Sequence, residues 1–204
     1  LESKSSGQGQ VVDAAMTDGT ATLMAALYGL YSAGMWSDLR QNNILDGGAH
    51  FYNTYETKDK KYISIASIEH KFYEILKELI GYEDQGNLAH KNKESWSANK
   101  KELIEIFKQK TRDEWCELLE GTDVCYAPVL NLREAPEHPH NKQRQTFTEI
   151  EGVVQPSPSP RFSRTPSTIQ SPPSEIGENT DQVLKEWGFS SDEISNLKDK
   201  QAIG

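Results

Sequence analysis

A glutamate, Glu69, is placed where a carboxylate could take part in proton transfer. It lies between the strand-like segment Tyr62 to Ala66 and a run of apolar residues at helical spacing that begins with Phe72. A carboxylate at such a junction can be held by backbone donors, and it can act as both base and acid where an apolar setting raises its pKa. Acidic residues in the first turn of a helix also interact favourably with the helix dipole. The pattern alone leaves both roles open for Glu69.

The chain carries none of the common short catalytic signatures. It has no Gly-rich dinucleotide or phosphate loop, no His-Glu-x-x-His and no Gly-x-Ser-x-Gly. Cys116 and Cys125 fall in a predicted helix and a predicted strand, and we interpret them as reduced, small core residues. We expect no metal site.

The elements that must position Glu69 form a predicted α+β unit. Phe51 to Thr57 alternates as a strand and, after a turn at Lys58 to Lys60, pairs with Tyr62 to Ala66 as an antiparallel hairpin. A helix begins near Ile68 and ends at Gly81, and its buried face is predicted to contain Phe72, Ile75, Leu76, Leu79 and Ile80.

Three further elements complete this unit. A helix is predicted around Ala98 to Lys108, and the Thr-x-x-Glu pattern from Thr111 to Glu114 predicts a capping box that opens the next helix. The segment Asp123 to Leu130 is predicted to be a strand.

The flanking segments have weaker patterns. Upstream, a short strand is predicted at Gln10 to Asp13, followed by a helix of small residues from Ala14 to about Ser32. Downstream, the residues from Gln155 to Pro173 are rich in Pro and Ser, which predicts an extended connector. Two short helices are predicted after it, Asn179 to Glu186 and one opened by a capping box from Ser190 to Glu193.

Composition excludes several classes of function. The 204 residues carry a net charge of -9, and an acidic surface disfavours phosphate binding, so we expect no nucleic-acid partner. We expect no membrane span, because the most apolar stretch, Ala21 to Met35, is shorter than about 18 residues and contains two glycines. The termini show no targeting pattern, and the chain is expected to begin inside a longer protein.

Seven strings in order along the chain resemble family III CoA-transferases and, within that family, alpha-methylacyl-CoA racemases. The likeness extends from Gly7 to about Leu197. The strings are Gly9-Gln10-Val11-Val12-Asp13-Ala14-Ala15-Met16, Asn43-Ile44-Leu45-Asp46-Gly47-Gly48-Ala49, Ser67-Ile68-Glu69-His70-Lys71-Phe72-Tyr73, Glu114-Trp115-Cys116, Gly121-Thr122-Asp123, Ala127-Pro128-Val129-Leu130 and Ile176-Gly177-Glu178-Asn179-Thr180.

The resemblance implies an α/β fold that is the C-terminal portion of a family III CoA-transferase. Residues 1–50 would be the end of a large Rossmann-like CoA domain and a connecting loop, and residues 51–130 a small α+β domain. Residues 131–175 would be a return segment with a Pro-rich linker, and residues 176–204 helices that rejoin the large domain. The complete protein would be an interlocked homodimer.

The resemblance also implies a reaction and a site. Such racemases invert the C2 stereocentre of 2-methyl-branched acyl-CoA thioesters by two-base proton transfer through an enolate-like intermediate. Glu69 matches the carboxylate arm, whereas the His and Asp of the other arm and most CoA contacts belong to the preceding half. The substrate would contact Leu45, Tyr52 and Ile68, for which core packing is an equal alternative, and the backbone at Gly47 and Gly48, for which a loop turn is the alternative. His50 and His70 stand where these racemases usually have Pro.

Several consequences of the resemblance stay expectations. Coenzyme A is part of the substrate and no separate cofactor is expected, and this chain alone would be inactive. A role in fatty-acid or bile-acid metabolism would place the protein in the peroxisome or mitochondrion of a eukaryote, or in a bacterial cytoplasm. The alternatives are a CoA-transferase of the same family, which would use an aspartyl nucleophile, and a non-catalytic dimerisation fragment.

Overall fold

The computed structural model describes residues 1–84 and 92–203. The chain divides into two compact units, Leu1–Val129 and Leu130–Gly204. The predicted ranges 51–130 and 176–204 include residues 85–91 and 204, which lie outside the described residues. The assignment of the four predicted ranges to parts of larger domains stays a prediction.

The first unit is built around a three-stranded antiparallel sheet with the strand order β1-β2-β3. Tyr52 pairs with Ala66 across the first two strands, and Ile65 pairs with Tyr126 across the next two. The predicted hairpin is therefore confirmed. The described residues of this unit form α1 (Glu2–Ser6), α2 (Met16–Leu23), α3 (Ala25–Ser32), β1 (Tyr52–Glu56), β2 (Tyr62–Ala66), α4 (His70–Ile80), a 3-10 turn (Lys93–Ser95), α5 (Trp96–Phe107), α6 (Arg112–Leu119) and β3 (Tyr126–Val129).

Local sequence signals explain where two of these helices begin and end. Gly81 follows α4 with a left-handed backbone (φ 67°), a conformation that glycine adopts without steric cost, and it ends the helix as predicted. The predicted capping box at α6 is confirmed, because the Thr111 side chain accepts from the Glu114 N–H and the Glu114 side chain accepts from the Thr111 N–H.

One face of the sheet is covered and the other is open. Alternate strand residues Tyr55, Ile63 and Ile65 are buried, because successive side chains of a strand point to opposite faces. They belong to a core that also contains Tyr73, Leu76, Leu103, Phe107, Trp115 and Leu119 from α4, α5 and α6. The intervening residues, among them Tyr52, Thr54 and Ser64, are exposed or half-buried on the other face.

The first 32 residues differ from the sequence prediction. Residues Gln10 to Asp13 form no strand, and Val11 is 94% exposed. An isolated strand lacks ladder hydrogen bonds, and the described residues offer this segment no neighbouring strand. The predicted continuous helix from Ala14 to Ser32 is two helices joined at Met24, and none of the residues of α2 and α3 is buried.

Over its described residues, 130–203, the second unit contains four short helices and a two-stranded sheet. Its elements are α7 (Glu134–Glu137), α8 (Pro139–Arg144), β4 (Phe147–Ile150), β5 (Val153–Pro156), α9 (Thr180–Glu186) and α10 (Ser191–Asp199). The two C-terminal helices and the capping box at Ser190 are confirmed. The extended connector begins later than predicted, because Gln155 and Pro156 pair with Thr148 and Phe147 in the β4–β5 hairpin.

Among the described residues, no helix is both long and apolar enough to cross a membrane.

Candidate active site

A pocket of about 390 Å³ lies on the open face of the first unit's sheet. Its floor comes from facing residues of β1 and β2, and its rim comes from the loop before β1. The lining residues are Leu45, Gly47, Tyr52, Asn53, Thr54, Ser64, Ile65 and Ala66. A larger pocket of about 560 Å³ in the second unit is lined by residues of the β4–β5 hairpin and the Pro-rich segment, and none of the predicted site residues lines it.

The pocket loop, residues 41–50, is held by the carboxylate of Asp46. This carboxylate accepts hydrogen bonds from the backbone N–H groups of Asn43 at 2.9 Å, Gly48 at 3.0 Å and Asn42 at 3.1 Å. Although partial burial opposes ionisation, these bonds and one from the Asn43 side chain hold the pKa of Asp46 below its usual value. The loop therefore presents Leu45 and Gly47 to the pocket from an ordered backbone.

The two adjacent glycines of this loop have different structural roles. Gly47 has a left-handed backbone (φ 85°), and its carbonyl accepts hydrogen bonds from Asn53 Nδ2 and Lys100 Nζ, both at 2.9 Å. At Gly48 a Cβ atom would lie 2.7 Å from the Asn43 carbonyl oxygen and 2.8 Å from that of Gln41. Gly48 is thus required for the close approach of backbone within the loop.

The structure brings three of the five predicted substrate-contacting residues together. Leu45, Gly47 and Tyr52 line the pocket on the sheet face. Gly48 and Ile68 do not line it, because Gly48 packs against the loop backbone and Ile68 packs against the hydrophobic core.

Glu69 lies at the N-terminus of α4, three residues beyond the pocket residue Ala66. Its backbone is extended (φ -75°, ψ 136°), as is usual for a residue that caps the N-terminus of a helix, and its carbonyl accepts hydrogen bonds from the N–H groups of Phe72 and Tyr73 at 3.0 Å. The side chain is exposed, does not line the pocket and makes no capping hydrogen bond to α4 among the described residues. The local fold therefore leaves the carboxylate available to a ligand or to another part of the protein.

Neither cysteine has the environment of an activated nucleophile. Partial desolvation, followed by the negative charges of Glu69 and Asp123, raises the pKa of the Cys125 thiol, and burial raises that of Cys116. The prediction that both are core residues is wrong for Cys125, which is exposed and has a left-handed backbone (φ 52°). Cys116 is half-buried, with its Sγ 3.2 Å from the Tyr126 hydroxyl.

Sequence reasoning missed the polar floor of the pocket, which contains Asn53, Thr54 and Ser64. Strand alternation indicated the open face for Thr54 and Ser64, but only their cross-strand pairing brings these two side by side, and Asn53 reaches the pocket through its hydrogen bond to the Gly47 carbonyl. In the described part of the chain, no group of three His, Cys, Asp or Glu side chains could hold a metal ion.

The sequence pattern of CoA-transferase family III matches residues 1–180. The chain belongs to CoA-transferase family III. Among curated family members, the mouse alpha-methylacyl-CoA racemase is 40% identical over 206 residues, which cover 100% of this chain and 54% of the mouse protein. The human alpha-methylacyl-CoA racemase is 39% identical over 200 residues, covering 97% of this chain and 52% of the human protein.

Solved structures support the family fold. A CAIB/BAIF family protein from Brucella suis matches with a TM-score of 0.68 and 22% identity, covering 91% of this chain and 50% of that protein. A crystal structure from Mycobacterium tuberculosis matches with a TM-score of 0.63 and 19% identity, covering 88% of this chain and 47% of that protein. The predicted α/β fold, a portion of a family III CoA-transferase, is confirmed. The chain spans about half the length of the curated relatives it matches.

Proposed function

We propose that this chain is the Glu69-bearing half of an alpha-methylacyl-CoA racemase, which inverts the C2 stereocentre of a 2-methyl-branched acyl-CoA. The observation that carries the proposal is the 40% identity to the mouse racemase over the whole chain. The succinyl-CoA--L-malate CoA-transferase beta subunit of Chloroflexus aurantiacus and the human succinyl-CoA:glutarate CoA-transferase are only 25% and 24% identical.

The chemistry requires two opposed acid/base groups. Inversion at C2 removes the proton from one face of the thioester and returns a proton to the other face, through an intermediate whose negative charge lies on the thioester oxygen. In our proposal the Glu69 carboxylate takes the C2 proton of one epimer and, once protonated, returns a proton when the other epimer reacts. The second group, a His and Asp pair, would come from the half that this chain does not include.

The pocket suits the acyl chain beside Glu69. The Leu45 side chain and the Tyr52 ring form an apolar wall, and Ala66 at the end of β2 joins the pocket floor to the turn that carries Glu69. The proposed direction of the acyl chain is from Glu69 along the open sheet face. The Gly47 backbone borders the same space, so it can approach the thioester end of the substrate.

Glu69 is exposed in this chain, whereas a general acid and base of this kind needs an environment that excludes water. We propose that the upstream half, or a second copy of the protein, covers it. The unburied faces of α2 and α3, which carry the exposed Tyr28 and Tyr31, are consistent with a chain that packs against further protein. A homodimer and a place in peroxisomal or mitochondrial fatty-acid metabolism belong to the same proposal.

A CoA-transferase is the second candidate, favoured by the family assignment and by the relatives at about 25% identity. One experiment distinguishes the racemase from the CoA-transferase: the complete protein is incubated in heavy water with a single epimer of a 2-methylacyl-CoA and a free carboxylic acid. A racemase incorporates deuterium at C2 and forms the other epimer. A CoA-transferase moves CoA to the free acid and leaves C2 unlabelled, a result that would overturn the proposal.

A further inference from the structure

A fully buried imidazole ends the pocket loop. His50 is 0% exposed, and its Nε2 atom lies 2.9 Å from the hydroxyl oxygen of Tyr73 in α4. The imidazole also makes edge contacts with the rings of Phe51 and Tyr73, at centroid distances of 5.2 and 5.5 Å. The Asn99 amide of α5 lies 3.5 Å from the same nitrogen, at the outer limit of a hydrogen bond. Burying a polar ring is costly unless its polar atoms find partners, so these contacts define the position of His50.

Tyr73 also interacts electrostatically with the carboxylate of Asp84. Burial, and then the negative charge of Asp84, raises the pKa of Tyr73. The direction of the His50–Tyr73 hydrogen bond depends on the tautomer of the imidazole. Asp84 in turn pairs with Lys77 Nζ at 2.9 Å. The pocket loop is thus joined to α4 through the polar contact of His50 with Tyr73.

The His50–Tyr73 contact connects the pocket loop, residues 41–50, with the turn of α4 that carries Glu69. On the loop side, the backbone carbonyl of His50 accepts from the Tyr55 hydroxyl at 2.5 Å, and the preceding residues carry Leu45 and Gly47 into the pocket. On the helix side, the backbone N–H of Tyr73 donates to the carbonyl of Glu69 at 3.0 Å. A displacement at His50 would therefore alter the distance between the pocket wall and the Glu69 turn.

We propose that His50 is a positioning residue that fixes the pocket loop, residues 41–50, against the Glu69-bearing turn of α4. It acts through Tyr73 and does not touch the substrate. Its effect on catalysis rests on the proposed racemase function, whereas the physical coupling of loop and helix does not.

Amide hydrogen exchange tests the coupling of loop and helix independently of catalytic activity. We expect His50→Leu and Tyr73→Phe to accelerate exchange of two sets of amides together, the loop amides of Asn42, Asn43 and Gly48 and the helix amides of Phe72 and Tyr73. His50→Gln, which retains a polar group that can donate to or accept from Tyr73 at similar reach, should restore part of the protection. Tyr126→Phe is the matched control, since it likewise removes one phenol oxygen, but from a half-buried side chain that contacts Cys116 instead of the loop.

Two exchange results would overturn the inference. One is faster exchange in the loop while the first turn of α4 is unchanged, and the other is the same two-site pattern in Tyr126→Phe. If His50→Leu does not fold, Tyr73→Phe, which removes one oxygen atom, decides the same question.

Activity of the complete protein tests the catalytic consequence. Misplacement by about 1 Å can cost on the order of 100-fold in rate, so His50→Leu should lower kcat by about 10- to 100-fold for the epimer whose proton Glu69 removes. The other epimer and KM should change less, and His50→Gln should recover part of the loss. Equal losses for both epimers would overturn the positioning of Glu69 by His50. If the variants accelerate amide exchange in the loop and the helix together, but the parent protein shows no exchange of the substrate C2 proton, the proposed function is contradicted and the coupling of loop and helix stands.

Discussion

Replacement of Gly48 by alanine tests the close packing of the pocket loop. An added Cβ would lie 2.7 Å from the Asn43 carbonyl oxygen, about 0.7 Å short of ordinary van der Waals contact, and 2.8 Å from the Gln41 carbonyl oxygen. Both obstacles are backbone atoms, and the Asn43 backbone is held by Asp46, so a side-chain rotation cannot relieve the contact. Overpacking of this kind typically costs about 1 to 3 kcal/mol. We expect Gly48→Ala to lower the free energy of unfolding by that amount.

Gly29→Ala is the matched control for this substitution. Gly29 lies inside α3, and a Cβ there meets no atom within 4 Å. Alanine in a helix interior is more favourable than glycine by about 0.5 to 1 kcal/mol, so this variant should be slightly more stable than the parent. Urea unfolding followed by tryptophan fluorescence measures both variants, since Trp36, Trp96 and Trp115 lie in the first unit. A Gly48→Ala midpoint at or above that of the parent would refute the packing argument.

Three further predictions concern pH, the pocket and the isolated chain. The folded-state pKa of Asp46 is lower than its unfolded value of 3.8, so the Asp46 carboxylate contributes its full stabilisation above pH 3.8 and loses it as the pH falls through the folded-state pKa. Asp46→Asn should therefore flatten this part of an acid-unfolding curve. An unchanged curve would contradict the role of Asp46. Ser64→Leu should fill the pocket floor and raise KM for long acyl chains with little change in the free energy of unfolding, whereas Thr54→Val, which keeps the side-chain shape, should leave KM nearly unchanged. Equal KM values for the parent and both variants would place the acyl chain elsewhere. The 204-residue chain alone should show no stereoinversion, because one proton-transfer arm is expected in the other half, and measurable inversion by the purified chain would disprove this.

Elements with strong local signals could be predicted from the sequence. The alternation of Tyr62 to Ala66 and the helical spacing after Ile68 predicted β2 and α4, and Gly81 marked the end of that helix. The β4–β5 hairpin was missed because its strands have four residues each and are only partly buried. Its two-residue turn, Glu151 and Gly152, has two left-handed backbones, and Gly152 is the signal that could have predicted it.

The candidate site could be predicted only in part, because its geometry depends on contacts between distant residues. The resemblance pointed to Glu69, Leu45 and Tyr52, but no local pattern reveals that Lys100 donates to the Gly47 carbonyl, 53 positions away. The contact of His50 with Tyr73, 23 positions away, was equally hidden. The predicted strand at Gln10 to Asp13 failed for the related reason that β-branched residues form a strand only where a partner strand is present.

The proton-transfer role of Glu69 is tested most directly by C2 exchange in heavy water. The measurement compares Glu69→Gln with the parent in the complete protein, using each epimer of a 2-methylacyl-CoA separately. Gln keeps the size and hydrogen bonding of the side chain, and the exposed position of Glu69 predicts an unchanged fold. We expect exchange to fall by about 100- to 10,000-fold for the epimer whose proton Glu69 removes, while exchange of the other epimer persists in part. Exchange rates equal to those of the parent for both epimers would contradict the assignment, and equal losses for both would indicate a structural or electrostatic role instead.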